Sequence, residues 1–318
     1  MNSTDVKTRF LILSDTHGRE LPLGSLSRTS ADVVIHCGDL TEGSRLEEFQ
    51  NTLMILQAID APLKLIIAGN HDFTLDVPVF KSKVAAAEKY FNEPLEPTLL
   101  EATFGRYGQA RELFELFKND GIILLDEGTH QFKLANGAQL TIYASPYTPS
   151  VDGSGFSYTA DAGHEFRIEK GVDVVLTHGP PRGILDHSCT EEKVGCPDLF
   201  AAVARARPRL HCFGHVHCEW GAMLASWRQD NSSETLSHVN AIDNDRSVVI
   251  DRLPRTVAEK REKLASHPGT RKTSHCADSD HPLTPDEQTL FVNAAMQGTE
   301  DFPLHPPWLV DIELPRAP

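Results

Sequence analysis

Phe10-Leu11-Ile12-Leu13-Ser14-Asp15-Thr16-His17 decides the reading of this chain. Its apolar run is continuous, which suits a strand covered on both faces rather than one half exposed to water. The run ends at once in Asp15 and His17, residue types that ligate metals. The same order recurs downstream. Residues 33–36 lead into Cys37-Gly38-Asp39, and 63–68 into Gly69-Asn70-His71-Asp72. Residues 172–176 lead into Thr177-His178-Gly179, and 210–213 into Gly214-His215-Val216-His217. Further short runs at 122–125 and 140–144 also read as strands. Amphipathic stretches at 45–59, 79–91, 109–118 and 197–205 read as helices, the last with Pro197 in a plausible first turn. Buried strands alternating with helices predict a layered α/β sandwich.

The chain has 318 residues, 40% hydrophobic and 24% charged, ordinary for a protein with a full core. Its formal charge of −15 disfavours a nucleic-acid polymer or an anionic membrane as partner, because both demand clustered Lys and Arg. A small anionic substrate stays open, since bound cations reverse the sign locally. No apolar run approaches the roughly 20 residues of a membrane span. The polar start, residues 1–9, lacks a signal-peptide core. The six cysteines form no CxxC pair. They read as reduced thiols in the cytoplasm, with Cys189–Cys196 the one disulfide kept open.

The strand–helix pattern stops near Trp220. Residues 228–285 read as a polar insertion, with one short strand at 247–250 and a charged, exposed helix at 256–265. The stretch 267–282 has almost no apolar residues, which predicts disorder. Strands return at 289–295 and 308–314. The expected organisation is one domain: a core over 1–227, the insertion over 228–285, and strands over 286–318 that complete the core. The charge cluster from Glu42 to Glu48 reads as a solvated helix face, and Cys37 as a small buried side chain.

All five ligand groups lie beyond the carboxyl ends of predicted strands, where α/β sheets build sites. Residues i and i+2 leaving a strand point the same way, so Asp15 and His17 can share a cation. Each group alone is ordinary, since a strand-end His is commonly packed and an Asp there commonly caps a turn. The conjunction is not. Oxygen and imidazole ligands recur in one order with Gly beside nearly every group, and Gly lets the backbone turn sharply. Seven such ligands are too many for one ion and suit two ions sharing a carboxylate. Imidazole, carboxylate and amide favour Mn or Fe, with Zn possible.

Asp15-x-His17, Gly38-Asp39, Gly69-Asn70-His71-Asp72, His178 and Gly214-His215-x-His217 together resemble the full signature of the calcineurin-like metallophosphoesterases. The text Thr177-His-Gly-Pro-Pro-Arg-Gly-Ile-Leu-Asp186 is similar to the metallophosphoesterase-domain proteins, a class resembling class III cyclic-nucleotide phosphodiesterases. The resemblance covers roughly 9–220 and 289–314. It implies an α/β/β/α sandwich. It also implies one metal on Asp15, His17 and His217, a second on Asn70, His178 and His215, and Asp39 bridging both. His71 would serve as general acid or charge stabiliser, with Asp72 orienting its imidazole. The implied activity is hydrolysis of small phosphodiesters, with the two ions activating a hydroxide for attack.

Protein Ser/Thr phosphatases carry GDxxDRG, whose Arg is missing from Gly38-Asp-Leu-Thr-Glu-Gly43. Purple acid phosphatases place a Tyr just after the second Asp, and none follows Asp39. The open alternatives are a phosphomonoesterase, a non-catalytic metal-binding scaffold, or an enzyme acting on a non-phosphoester metabolite. Residues 73–100 and 147–165 are the loops expected to choose the substrate.

Overall fold

Along β1 (Val6–Leu13), successive side chains enter different cores. Phe10 and Ile12 face one, Leu11 and Leu13 the other. The same parity holds in β2 (Val33–His36) and β3 (Leu63–Ile66), so both faces take apolar residues, with Lys64 the exception, its Nζ donating to the Ala61 and Asp120 carbonyls. The structure is a computed structural model, which describes residues 5–19, 29–229, 235–254, 259, 269–299 and 302–318.

The chain pairs β1–β3 in parallel with one another and with β4 (Ile122–Leu124). The strands β5 (Gly128–Lys133) and β6 (Gln139–Ser145) form an antiparallel hairpin, and β7 (Thr148–Pro149) pairs with β8 (Ser157–Tyr158). Next come β9 (Val174–Thr177), β10 (Leu210–Phe213), β11 (Gly221–Trp227), β12 (Ile242–Arg252) and β13 (Arg271–Ser274). The last strands are β14 (Gln288–Asn293), β15 (Gln297–Thr299), β16 (Phe302–Leu304) and β17 (Trp308–Leu314). Six strands in the order β13-β17-β1-β2-β3-β4 make one sheet, and seven in the order β12-β11-β14-β10-β9-β6-β5 make the other.

The helices whose bounds lie within the described residues are α1 (Leu46–Gln57), α2 (Val77–Phe91), α3 (Pro97–Phe104), α4 (Gln109–Leu116), α5 (Pro197–Ala206) and α6 (His238–Ala241). A central core fills the space between the sheets, with Phe10, Ile35 and Leu65 meeting Ile142, Leu176 and Val292. On the outer face of the six-stranded sheet, Phe49 and Leu53 of α1 and Phe114 of α4 pack on Leu11, Val34 and Ile66. On the outer face of the other, Leu199, Phe200 and Val203 of α5 pack on Val175, Phe213 and Phe291. The layers are therefore α/β/β/α. Each fully buried Leu or Phe contributes roughly 1.5–3 kcal/mol of transfer free energy.

The structure departs from expectation after Trp220. There β11 continues the seven-stranded sheet, with Ala222 and Leu224 facing the central core and Ala225 and Trp227 the outer one. Its small residues conceal a strand buried on both faces. The short strand expected at 247–250 is part of the longer β12, an edge strand with exposed polar positions. Disorder across 267–282 is corrected. Within its described residues, 269–282, β13 adds in parallel to β17, and His275 and Cys276 are buried. The backbone ladder holds this strand without an apolar face. The helix expected at 256–265 falls outside the described residues, Glu259 excepted. Among the described residues no helix is long and apolar enough to cross a membrane.

All six cysteines are free. Cys196 does not pair with Cys189. It is buried, caps α5 by accepting the Leu199 amide at 3.3 Å, and takes the Tyr158 hydroxyl at 2.9 Å.

Candidate metal centre

Five strand exits meet at one end of the sandwich. The exit loops of β1 and β2 run side by side, with the Asp15 amide donating to the Gly38 carbonyl (3.0 Å) and the His17 amide to the Asp39 carbonyl (3.1 Å). Asp15, His17, Asp39 and His215 all have positive φ, between 49° and 66°. A non-glycine residue pays roughly 1–2 kcal/mol for that conformation, and such strain collects at functional sites. This backbone, rather than strand alternation, turns Asp15 and His17 toward common partners. Two glycines permit the close approach. A Cβ on Gly69 would run into the Asp39 carboxylate, and one on Gly214 into that of Asp15.

Asp15, His17 and His217 bring their ligand atoms within 4.8 Å of one another, as do Asp39, His178 and His215. A further such group, His17, Asp39 and His71, joins the other two. Asn70 stands in the second cluster, its Oδ1 2.8 Å from His178 Nε2 and 2.9 Å from His215 Nδ1. Asp39 Oδ2 lies 3.3 Å from His178 Nε2 and 3.9 Å from His17 Nε2. Asp15 Oδ1 lies 3.2 Å from His217 Nε2, and the Asp15 carboxylate accepts the His215 amide at 3.0 Å. All seven residues are thus brought together.

The donor set fits cations. His178 spends its Nδ1 proton on the Cys37 carbonyl at 2.9 Å. Its Nε2 then faces the oxygens of Asn70 and Asp39, an arrangement that repels unless a proton or a cation stands between them. His17 Nδ1 lies against the Thr41 carbonyl (3.2 Å) and the Glu42 carboxylate (3.1 Å), which puts the proton on that nitrogen. Its buried Nε2 then has no hydrogen-bond partner. A buried, unpaired imidazole lone pair beside a carboxylate is what a metal ligand requires.

The electrostatics carry the same demand for positive charge. Burial alone would raise the Asp15 carboxyl, but the bond and charge of His217 hold it well below the usual range. Burial likewise acts upward on Asp39, and His178 holds it down to about 2. Burial opposes charge on His178, yet Asp39 and then Asp15 raise it to about 9. Burial keeps His215 at about 4.

His71 is half-buried at the rim. Its amide donates to Asp39 Oδ1 at 2.9 Å, and its ring Nδ1 bonds the Glu42 carbonyl at 2.7 Å. The expectation that Asp72 orients this ring is corrected. The fully buried Asp72 carboxylate accepts the amides of Leu40, Thr41 and Gly69 and the Thr41 hydroxyl. It clamps the β2 and β3 exit loops together, because four donors converge on it there. Burial, then the charge of Asp39, pushes its carboxyl up to about 7 against those donors.

Glu42 escaped the sequence reading. Its side chain is solvated as expected, but it lies in the turn before α1, where its carbonyl holds His71 and its carboxylate touches His17. Glu48 accepts the Gly43 and Arg45 amides at the start of α1. Glu42 lies in the turn just after Asp39, and that adjacency was the available signal. Cys37, expected to be a small buried side chain, has no exposed surface.

A model of the calcineurin-like phosphoesterase family matches residues 8–219. Metallophosphoesterase domain-containing protein 1 of Homo sapiens and that of Mus musculus are each 32% identical over 239 residues, 74% of this chain. The match spans 65% of the length of those proteins. The probable rhamnogalacturonate lyase C of Emericella nidulans is 30% identical over 230 residues, 71% of this chain and 18% of that protein. The family match contains every residue of the clusters described above, from Asp15 to His217, and the chain belongs to the calcineurin-like phosphoesterase family.

Proposed function

We propose that this chain is a metal-dependent phosphoesterase that hydrolyses small phosphodiesters with two divalent ions, Mn or Fe ahead of Zn. One observation carries the reading: Asp39 belongs both to the cluster with His178 and His215 and to the cluster with His17. Asp15, His17 and His217 would hold one ion, Asn70, His178 and His215 the other, and Asp39 both. When bound, such a pair supplies charge that neutralises phosphate oxygens and lowers the pKa of water. The protein's own part is to fix the ligands in a strained, buried frame. His71 keeps its Nδ1 on the Glu42 carbonyl, which leaves Nε2 to protonate the leaving oxygen.

The diester preference draws on the family text around Thr177–Asp186 and on charge. A monoester dianion benefits from added guanidinium donors. Arg182, four residues after His178, is exposed in the loop after β9. The acidic chain also argues for a small-molecule substrate over a nucleic-acid polymer or a membrane. We place it in the cytoplasm, where free thiols such as its six persist.

The test is turnover by protein loaded with Mn²⁺. Bis-p-nitrophenyl phosphate is expected to be hydrolysed faster than p-nitrophenyl phosphate, and cyclic nucleotides more slowly than the bis-ester. The reverse order of the nitrophenyl esters would make the chain a phosphomonoesterase. Inactivity on both by fully loaded protein would point to a scaffold or to a non-phosphoester substrate.

A further inference from the structure

Each sheet buries one histidine directly beneath the candidate ligands, and each histidine holds a threonine of a neighbouring exit. In the six-stranded sheet, His36 ends β2 and its Nε2 lies 3.0 Å from Thr16 Oγ1, between Asp15 and His17. In the seven-stranded sheet, His211 of β10 places its Nε2 2.9 Å from Thr177 Oγ1, the residue before His178. All four side chains are at most 2% exposed. We infer that Thr16–His36 and Thr177–His211 are equivalent positioning braces, one per sheet, each tuning one of the two metal positions.

The direction of one bond is fixed. Thr177 Oγ1 donates to the Gly179 carbonyl at 2.7 Å, so it can only accept from His211. His211 therefore carries its proton on Nε2, and its Nδ1, buried without a partner, is a bare lone pair. His36 Nδ1 is likewise buried without a partner. An unpaired lone pair costs less than an unpaired N–H, which puts the His36 proton on Nε2 as well. Burial keeps both rings neutral, so neither competes with a metal for the ligands.

Each brace spans two ligand-bearing exits. His36 leads into the Asp39 loop and holds the Asp15–His17 loop. His211 leads toward His215 and His217 and holds the turn of His178. The Thr16 loop carries two ligands of the first cluster, and Thr177 adjoins a ligand of the second. The bonds themselves fall on Thr16 and Thr177, which flank ligands of different clusters, so loss of each threonine's bond should act mainly on a different ion. Partners that orient metal ligands are worth about 10–100-fold in affinity.

This inference rests on the two-ion reading, and one experiment separates them. Wild-type protein loaded with Mn²⁺ is titrated with a chelator, and ion release is followed by electron paramagnetic resonance. Two release steps are expected. Thr16→Val should move one step by about 10–100-fold and Thr177→Val the other, while Thr16→Ser and Thr177→Ser should restore wild-type behaviour. A wild type without two steps would defeat the two-ion reading itself. Two wild-type steps that the valine variants leave alone, or move together, would overturn the braces. Serine variants as impaired as the valine ones would do the same. If a valine variant fails to fold, His36→Leu and His211→Leu remove the same bonds from the other side, with the same outcomes expected.

Discussion

Asp39→Ala is expected to take metal content from two ions per chain to below one and to remove nearly all metal-dependent turnover. Asp39 Oδ2 faces His178 and His17 across the space between the clusters, while Oδ1 accepts the His71 amide. Deleting the carboxylate removes the ligand common to both positions, leaves imidazoles facing one another without a counter-charge, and frees the rim that carries His71. Losing several kcal/mol of charge stabilisation corresponds to a fall in kcat/KM of on the order of 10³-fold or more. Elemental analysis after reloading, alongside bis-p-nitrophenyl phosphate turnover, checks it. An Asp39→Ala protein that keeps two ions would show that the clusters bind independently.

His71→Ala separates binding from chemistry. Its ring lies at the rim, edge-on to His17 at 4.8 Å between centroids, and is anchored by the Glu42 carbonyl. Metal content should stay near wild type while kcat falls by roughly 10²–10⁴-fold, the range for a positioned acid–base group. The loss should be smaller for a substrate with a good leaving group, which needs no proton. Equal losses of metal and turnover would make His71 a ligand instead.

Much of this centre was legible in the sequence because its chemistry is tied to strand ends. An apolar run buried on both faces must stop where the sheet stops, and within a few residues of five such stops stand Asp, Asn or His. Strand alternation nevertheless misjudged how Asp15 and His17 converge, because their left-handed backbone is visible only in three dimensions. The resemblance likewise tied Asp72 to the His71 ring, whereas the carboxylate points into the loops and binds amides contributed by residues some 30 positions away. The braces were hidden for a related reason: His36 and His211 lie within strand-forming runs, and the threonines they face are distant in sequence. Downstream of Trp220, β11 lacks the β-branched run of a typical strand and β13 has no apolar face, so composition suggested loop and disorder. Backbone ladders supplied by β14 and β17 determine both.

The most direct measurement is the metal content of the wild-type chain, stripped with chelator and reloaded under anaerobic conditions with Mn²⁺ or Fe²⁺. Two ions per chain, with a spin-coupled resonance signal from the Mn²⁺ form, are expected of clusters that share Asp39. One ion per chain, none, or two that show no magnetic coupling would contradict a dinuclear centre at these seven residues.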